Sequence, residues 1–227
     1  VAYYPLFLDL KGEKVLVVGG GRVAERKIKG LLDAGARVYV VAKELSPSLK
    51  KLEALSAIGY LGKDFDPAHL EGIRLLFVAT NDRELNQSIS SFAKEKGLWV
   101  NVVDRPELCN FIVPSSIRRG EVTVAISSGR HSPALSKFLR ERLENLLPLG
   151  LGDFALFMGL LRKRVLALGL GSEKDKEIFQ QIVGSDIMER ILEGDFESAK
   201  GICKNRLPVE LDWDRLFEEL KLVTEKG

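Results

Sequence analysis

The sequence is poor in the residues that most often mark metal and disulfide chemistry. Among 227 residues there are two cysteines, Cys109 and Cys203, and two histidines, His69 and His131. Two thiols cannot build a disulfide framework, and no His/Cys spacing suits a zinc site, so no metal ligand is assigned. Reduced thiols in a cytoplasmic setting are the expectation. A surplus of one charge is also missing, since 34 Lys and Arg against 32 Asp and Glu leave a net charge of +2. Such balance gives no field that would gather nucleic acid or a membrane surface. No stretch approaches the roughly 18 consecutive apolar residues of a membrane span. The opening Val1-Ala2-Tyr3-Tyr4-Pro5-Leu6 lacks the basic start of a signal peptide. Internal repeats and low-complexity tracts are not seen. What is present is a chain that is 45% hydrophobic, long enough for one large or two modest domains.

The most informative stretch runs from Val15 to Lys27. Val15-Leu16-Val17-Val18 is an unbroken apolar run, as expected of a parallel strand covered on both faces. Gly19, Gly21 and Ala24 then fit the G-x-G-x-x-G/A spacing of a dinucleotide-binding turn. Gly19 permits the turn, Gly21 lets a pyrophosphate approach the backbone, and Ala24 lets the helix pack close to the strand. Ile28, Leu31 and Leu32 continue an apolar helix face, and Gly35 ends it. Arg37 to Ala42 reads as a second strand, and Ser46-Pro47 opens a short helix. Ile58 to Leu61, Leu75 to Ala79 and Leu98 to Val103 read as further strands. Asn81 or Asp82 caps a helix before the last of these. Leu6, Leu8 and Leu10 alternate as if in an extended segment laid against the sheet. His69 falls in a surface helix.

Alternating strands and helices argue for a parallel sheet with right-handed crossovers, in which ligands bind at the carboxyl ends of strands. Gly19 to Gly21, Lys43, Thr80 and Asp104 all fall at such ends. After Pro114 the pattern changes. Val122 to Ser127 reads as a lone strand, Ser132-Pro133 starts a helix that Pro148 stops, and only helices are legible beyond Gly152. The expected fold is therefore α/β: a Rossmann-type domain over residues 1–113, a connecting segment over 114–147, and a small all-helical module over 148–227.

Several residues bear chemistry in more than one way. The acid that commonly binds the adenosine ribose is missing at the end of the second strand, where Ala42-Lys43-Glu44 stands. Glu44 could reach the ribose, Lys43 could favour a 2′-phosphate, or both could be solvated. Asp104 could accept a proton near the cofactor crevice, or simply form the turn before Arg105-Pro106. Ser127-Ser128-Gly129-Arg130-His131-Ser132-Pro133 offers hydroxyls, an imidazole, a guanidinium and a helix N-terminus. That set makes an anion cradle or an ordinary cap. Arg118, Arg119, Arg130, Lys137, Arg140 and Arg142 make this region basic, and His131 can move protons near neutrality.

Together these motifs resemble the precorrin-2 dehydrogenase family, which includes the N-terminal portion of siroheme synthases. The resemblance rests on Gly19-Gly20-Gly21-Arg22-Val23-Ala24-Glu25-Arg26-Lys27, Ala79-Thr80-Asn81-Asp82 and Val100-Asn101-Val102-Val103-Asp104. It continues through Asn110-Phe111-Ile112-Val113-Pro114-Ser115 and Ser127-Ser128-Gly129 with Ser132-Pro133, in one order, from about Leu6 to Leu147. It implies NAD-dependent oxidation of precorrin-2 to sirohydrochlorin, in some members followed by insertion of ferrous iron. It also implies a stand-alone form and a homodimer paired through Val122 to Leu147. Family NAD contacts carry onto Arg22, Val23, Lys43 and Glu44, with Gly21 and Thr80 beside them, and the family's important aspartate falls on Asp104. A many-armed acidic tetrapyrrole suits the cations Arg118, Arg119, Arg130 and Lys137 and the loop hydroxyl of Ser128. Asp104 is the first candidate base and His131 the second. The alternatives are a dehydrogenase served by a separate chelatase, or an NAD-sensing regulatory module.

Overall fold

Strand β1 (Lys14–Val18) is the centre of the first unit, and its last four residues are almost wholly buried. A computed structural model describes residues 3–129 and 131–225. β1 lies between β2 (Arg37–Val41) and β4 (Leu75–Val78), with β3 (Gly59–Gly62) and β5 (Trp99–Val102) at the edges. All five strands are parallel in the order β3-β2-β1-β4-β5. Val18 is level with both Val41 and Val78, and Val78 with Val102, so four strands end along one edge. From β1 the chain moves outward through β2 and β3, then returns to β4 on the other side. The crevice outside β1 and β4 is thus the switch point at which such sheets bind ligands.

Helices cover both faces. α1 (Arg22–Asp33) turns Ala24, Ile28 and Leu31 inward, and α2 (Pro47–Ala54) is capped by Ser46 Oγ, which accepts from the Leu49 N–H. These helices and one sheet face share a core with Val15, Val17, Val38 and Phe77. α3 (Arg83–Glu95), capped by Asp82, covers the other face with Ile89 and Ala93 against Leu16, Val18 and Leu76. Each side-chain cap contributes about 1 kcal/mol. His69 lies in a single 3-10 turn, Pro67–Leu70, where its Nδ1 accepts from the Asp66 N–H. The alternation at the N-terminus misleads. Leu6 and Leu8 are exposed and form no strand, and only Leu10 reaches the core. Both sides of β1 are already paired, so no ladder position is open beside it.

A division between Val113 and Pro114 separates the second unit. The expected lone strand has a partner: β6 (Ser115–Arg119) pairs antiparallel with β7 (Val122–Ile126), Ile117 opposite Val124. α4 (Pro133–Leu146) packs on this hairpin and leaves Leu135, Phe138 and Leu146 about half exposed or more. α5 (Leu151–Ala167), α6 (Ser172–Ile182), α7 (Asp186–Leu192), α8 (Phe196–Arg206) and α9 (Trp213–Thr224) enclose a second core centred on Phe157, Leu161, Ile191 and Phe217. α5 starts where two glycines meet. A Cβ on Gly152 would lie 2.9 Å from the Gly120 Cα. Cys203 is buried in this core, and burial pushes its thiol up to about 12. Among the described residues no single helix is long and apolar enough to cross a membrane.

The surface of the helical unit carries a network of ion pairs. Glu197 accepts from Lys200 and Lys221 at 2.8 and 2.7 Å, and Asp214 from Lys200 and Lys204 at 3.2 and 2.7 Å. The hydrogen bonds from Lys200 and Lys221 hold the Glu197 carboxyl at about 2, against an ordinary 4.5. A depressed folded-state value gives stability that is complete above the unfolded value and disappears as pH falls through the folded one. Thermal melts of wild type and Glu197→Gln are therefore expected to differ most above pH 4.5 and to converge toward pH 2. The difference is expected to shrink with added salt, because the pair is exposed. A difference independent of pH would contradict this assignment.

Candidate functional site

The turn after β1 is built so that two of its glycines are forced and the third is left open. Gly19 has φ +127°, and a Cβ there would sit 2.3 Å from the Ala79 carbonyl oxygen. A Cβ on Gly20 would sit 2.0 Å from the Glu44 carbonyl oxygen. The loop is pinned to its neighbours: the Gly19 N–H donates to Val41 O at 2.8 Å and the Ser46 N–H to Gly20 O at 2.9 Å. Ser46 Oγ also donates to Glu25 on α1 at 2.9 Å. Gly21 is different. It is the extended residue before α1, no side chain caps the helix, and nothing lies within 4 Å of where its Cβ would be. Unsatisfied N–H groups of the first helical turn thus face open space at the switch point, a cradle that fits a pyrophosphate.

The other sequence-predicted positions of the first unit lie along the same edge. Arg22 and Val23 begin α1 and are exposed, as are Lys43 and Glu44 beyond the end of β2. Thr80 follows β4, and its hydroxyl is engaged within the fold. It donates to Asn86 Oδ1 at 2.5 Å and accepts from the Asp82 N–H at 3.2 Å, while Asn86 Nδ2 donates to Thr80 O. Asn86, which is 4% exposed, is a residue that sequence reasoning missed. Its signal was a polar side chain at helical spacing from Ser90 on the buried face of α3.

Asp104 stands just past β5 with φ +58°, a left-handed conformation costing an L-residue on the order of 1 kcal/mol. Its side chain is exposed and makes no hydrogen bond or ion pair with another described residue. The turn that presents it is held by the Val103 N–H donating to Val78 O at 2.9 Å and by Cys109. The Cys109 Sγ accepts from the Val102 N–H at 3.1 Å and lies 3.3 Å from the carbonyl oxygens of Val102 and Arg105. Cys109 therefore brackets Asp104, a part its sequence position did not suggest. Lys27 was missed too. Its ammonium lies over the Phe77 ring at 5.6 Å, and burial is the main cause of its lowered pKa, with Arg26 adding to it.

In the second unit the predicted residues separate into committed and uncommitted side chains. The Ser128 hydroxyl donates to Ser132 O at 2.7 Å and accepts from the Ser132 N–H at 3.2 Å and from Ser136 Oγ at 3.0 Å. Its donor and both acceptor positions are filled, so it builds the loop and has no hydrogen bond left for a ligand. Arg119 is also internal: its guanidinium donates to Glu144 O at 3.1 Å, on α4, and lies 3.9 Å from the Glu144 carboxylate. Arg118 has no acidic partner among the described residues, and its Nε donates to Gly120 O. Lys137 is exposed, with Glu141 at 3.8 Å, and His131 is exposed. Arg130 lies outside the described residues.

Residues 6–115 match a family model whose description reads "Putative NAD(P)-binding". Siroheme synthase 1 of Aeromonas salmonicida (strain A449) is 44% identical over 202 residues, 88% of this chain and 43% of that protein. The siroheme synthase of Methylobacillus flagellatus is 41% identical over 200 residues, 86% of this chain and 42% of that protein. A solved structure of SirC, a precorrin-2 dehydrogenase, matches with a TM-score of 0.71 at 28% identity, covering 88% of this chain and 100% of that one. The chain is thus similar over its first unit to NAD(P)-binding domains, and over most of its length to siroheme synthases and to a precorrin-2 dehydrogenase. It spans less than half the length of the siroheme synthases it matches. The likeness to the precorrin-2 dehydrogenase structure covers 88% of the chain and so extends past residue 115, the end of the family-model match.

Proposed function

We propose that this chain is an NAD-dependent precorrin-2 dehydrogenase that produces sirohydrochlorin, and that it also inserts ferrous iron into that product. One observation carries the reading. The sheet edge that holds the open Gly21 cradle also presents Asp104, an exposed carboxylate without a hydrogen-bond or ion-pair partner among the described residues, in a strained backbone conformation. Strain of that kind collects at functional sites.

Bound NAD would supply the hydride acceptor. The chain's own residues bind, orient and move protons. With NAD bound, Gly19 and Gly21 with the α1 N-terminus would hold the pyrophosphate, Arg22 and Val23 would line that end, and Lys43 and Glu44 would stand at the adenosine ribose. Thr80, fixed by Asn86, shapes the loop after β4. Oxidation removes one hydride and one proton from precorrin-2, and Asp104 takes the proton. Insertion of ferrous iron, a substrate here, displaces pyrrole N–H protons, for which Asp104 is again the base and His131 the second. Arg118 and Lys137, together with Arg130, pair with the acidic arms of the tetrapyrrole, and Ser128 and Arg119 support them by holding the loop and hairpin. The half-exposed apolar side chains of α4 support a homodimer paired through residues 122–147. The setting proposed is cytoplasmic.

The test is anaerobic incubation of purified protein with precorrin-2 and NAD, following NADH and tetrapyrrole absorbance, then addition of ferrous iron. NADH with sirohydrochlorin is expected, and then metal insertion faster than in a protein-free control. NAD binding without tetrapyrrole turnover would instead favour a sensing module, and oxidation without faster insertion would leave a dehydrogenase alone.

A further inference from the structure

We infer that Cys109 is a positioning residue for Asp104, its thiol closing the base of the turn that presents the carboxylate. This rests on the role proposed above for Asp104 and concerns what aims it. The Arg105 N–H donates to Val102 O at 3.3 Å, so residues 102–105 form a turn with Asp104 at its third position. The left-handed backbone there, φ +58°, suits glycine or asparagine better than aspartate. The side chain that follows Asp104 does not hold it, because the Arg105 guanidinium engages Glu107 at 2.5 Å. Another group must keep the turn from relaxing.

The thiol sits where a neighbouring strand is missing. β5 is the last strand of its sheet, with β4 on one side and no strand on the other. Along that outer edge the segment after the turn supplies side chains in place of a ladder. Asn110 Oδ1 accepts from the Val100 N–H at 2.8 Å, Asn110 Nδ2 donates to Leu98 O at 2.7 Å, and the Asn110 N–H donates to Val100 O at 3.1 Å. Cys109 continues this row to the carboxyl end of the strand. Its Sγ accepts from the Val102 N–H at 3.1 Å, and its S–H is within reach of Val102 O and Arg105 O, each at 3.3 Å. Val102 and Arg105 are the two feet of the turn, so one side chain ties both. Asn110 seals the same edge and has no hydrogen bond to either foot. Cys109 is itself anchored: its N–H donates to Pro106 O at 3.1 Å, and buried Leu108 before it donates to Arg105 O at 3.0 Å. A base must lie within hydrogen-bond reach of the proton it takes, so a turn free to relax costs rate even with its carboxylate intact.

The experiment is a double-mutant cycle on the anaerobic single-turnover rate of precorrin-2 oxidation at saturating NAD. Two variants remove the thiol: Cys109→Ala, and Cys109→Val, which fills its space and suits the extended backbone at φ −92° and ψ 148°. Each is expected to slow oxidation about tenfold or more in the wild-type background, and less than about twofold when Asp104 is already asparagine. Cys109→Ser keeps an acceptor for the Val102 N–H and a donor for the carbonyls, and is expected to recover the rate to within about threefold of wild type. Asn110→Ala removes two hydrogen bonds from the same edge, and is expected to lower the melting temperature while the rate stays within about threefold of wild type. Equal slowing by Cys109→Ala in both backgrounds, or equal slowing by Asn110→Ala, would assign the thiol to edge sealing and overturn this inference. Wild-type rates in Cys109→Ala and Cys109→Val, with Asp104→Asn slow, would overturn it and leave the proposed function standing. Asp104→Asn at the wild-type rate would remove the base and this inference together, and no oxidation by wild type would overturn the proposed function as well.

Discussion

Gly21→Asp is expected to abolish dinucleotide binding while leaving the fold intact. Gly21 has φ −87°, which any residue adopts, and no atom within 4 Å of its Cβ position, so an aspartate fits without strain. Its carboxylate would project into the space assigned to the pyrophosphate. Two like charges 4 Å apart cost about 4 kcal/mol at an effective dielectric of 20, and each 1.4 kcal/mol is about tenfold in affinity. The expected weakening is therefore well beyond a hundredfold, read by titration with NAD, with an unchanged circular dichroism spectrum and melting temperature. Affinity within about threefold of wild type would show that nothing anionic lies over Gly21. The companion variant Gly19→Ala separates fold from binding. Its Cβ would meet the Ala79 backbone at 2.3 Å with φ +127°, so it should fail by destabilisation.

Asp104→Asn is expected to keep NAD binding and to slow tetrapyrrole turnover by about 10²- to 10⁴-fold, the usual contribution of a positioned acid–base group. Asparagine is the informative replacement because it tolerates φ +58° as aspartate does. Alanine would change backbone stability and charge at once. The exposed carboxylate has no partner among the described residues to lose, so no structural defect is expected to accompany the change. Single-turnover rates for oxidation and for metal insertion read the two proposed uses of this base separately. Wild-type rates for both would reduce Asp104 to a turn residue. Loss of one alone would assign the base to that step.

The sheet was legible where burial on both faces wrote itself as unbroken apolar runs, as in Val15–Val18 and Leu75–Val78. Capping was legible because Ser46 and Asp82 stand directly before helices and have the side chains to accept their N–H groups. β6 was not, because Ser115-Ser116-Ile117-Arg118-Arg119 offers one apolar residue, and a strand recognised only through its partner leaves little local trace. Leu6 and Leu8 show the converse, alternation without a sheet edge to receive it. In the candidate site, residue types were readable and commitments were not. Nothing in Ser128 or Arg119 as letters says that Ser132, Ser136 and Glu144 consume their hydrogen bonds. Nor does the spacing of Cys109 from Asp104 announce that the thiol bonds to backbone on both sides of that residue.

The most direct test of the central claim is the stoichiometry of a single anaerobic turnover, with enzyme in excess over precorrin-2 and saturating NAD. The account predicts one NADH formed for each sirohydrochlorin, at the same rate, in wild type, and neither product above background in Gly21→Asp. Sirohydrochlorin appearing at an undiminished rate without dinucleotide, or no NADH from protein shown to bind NAD, would contradict it.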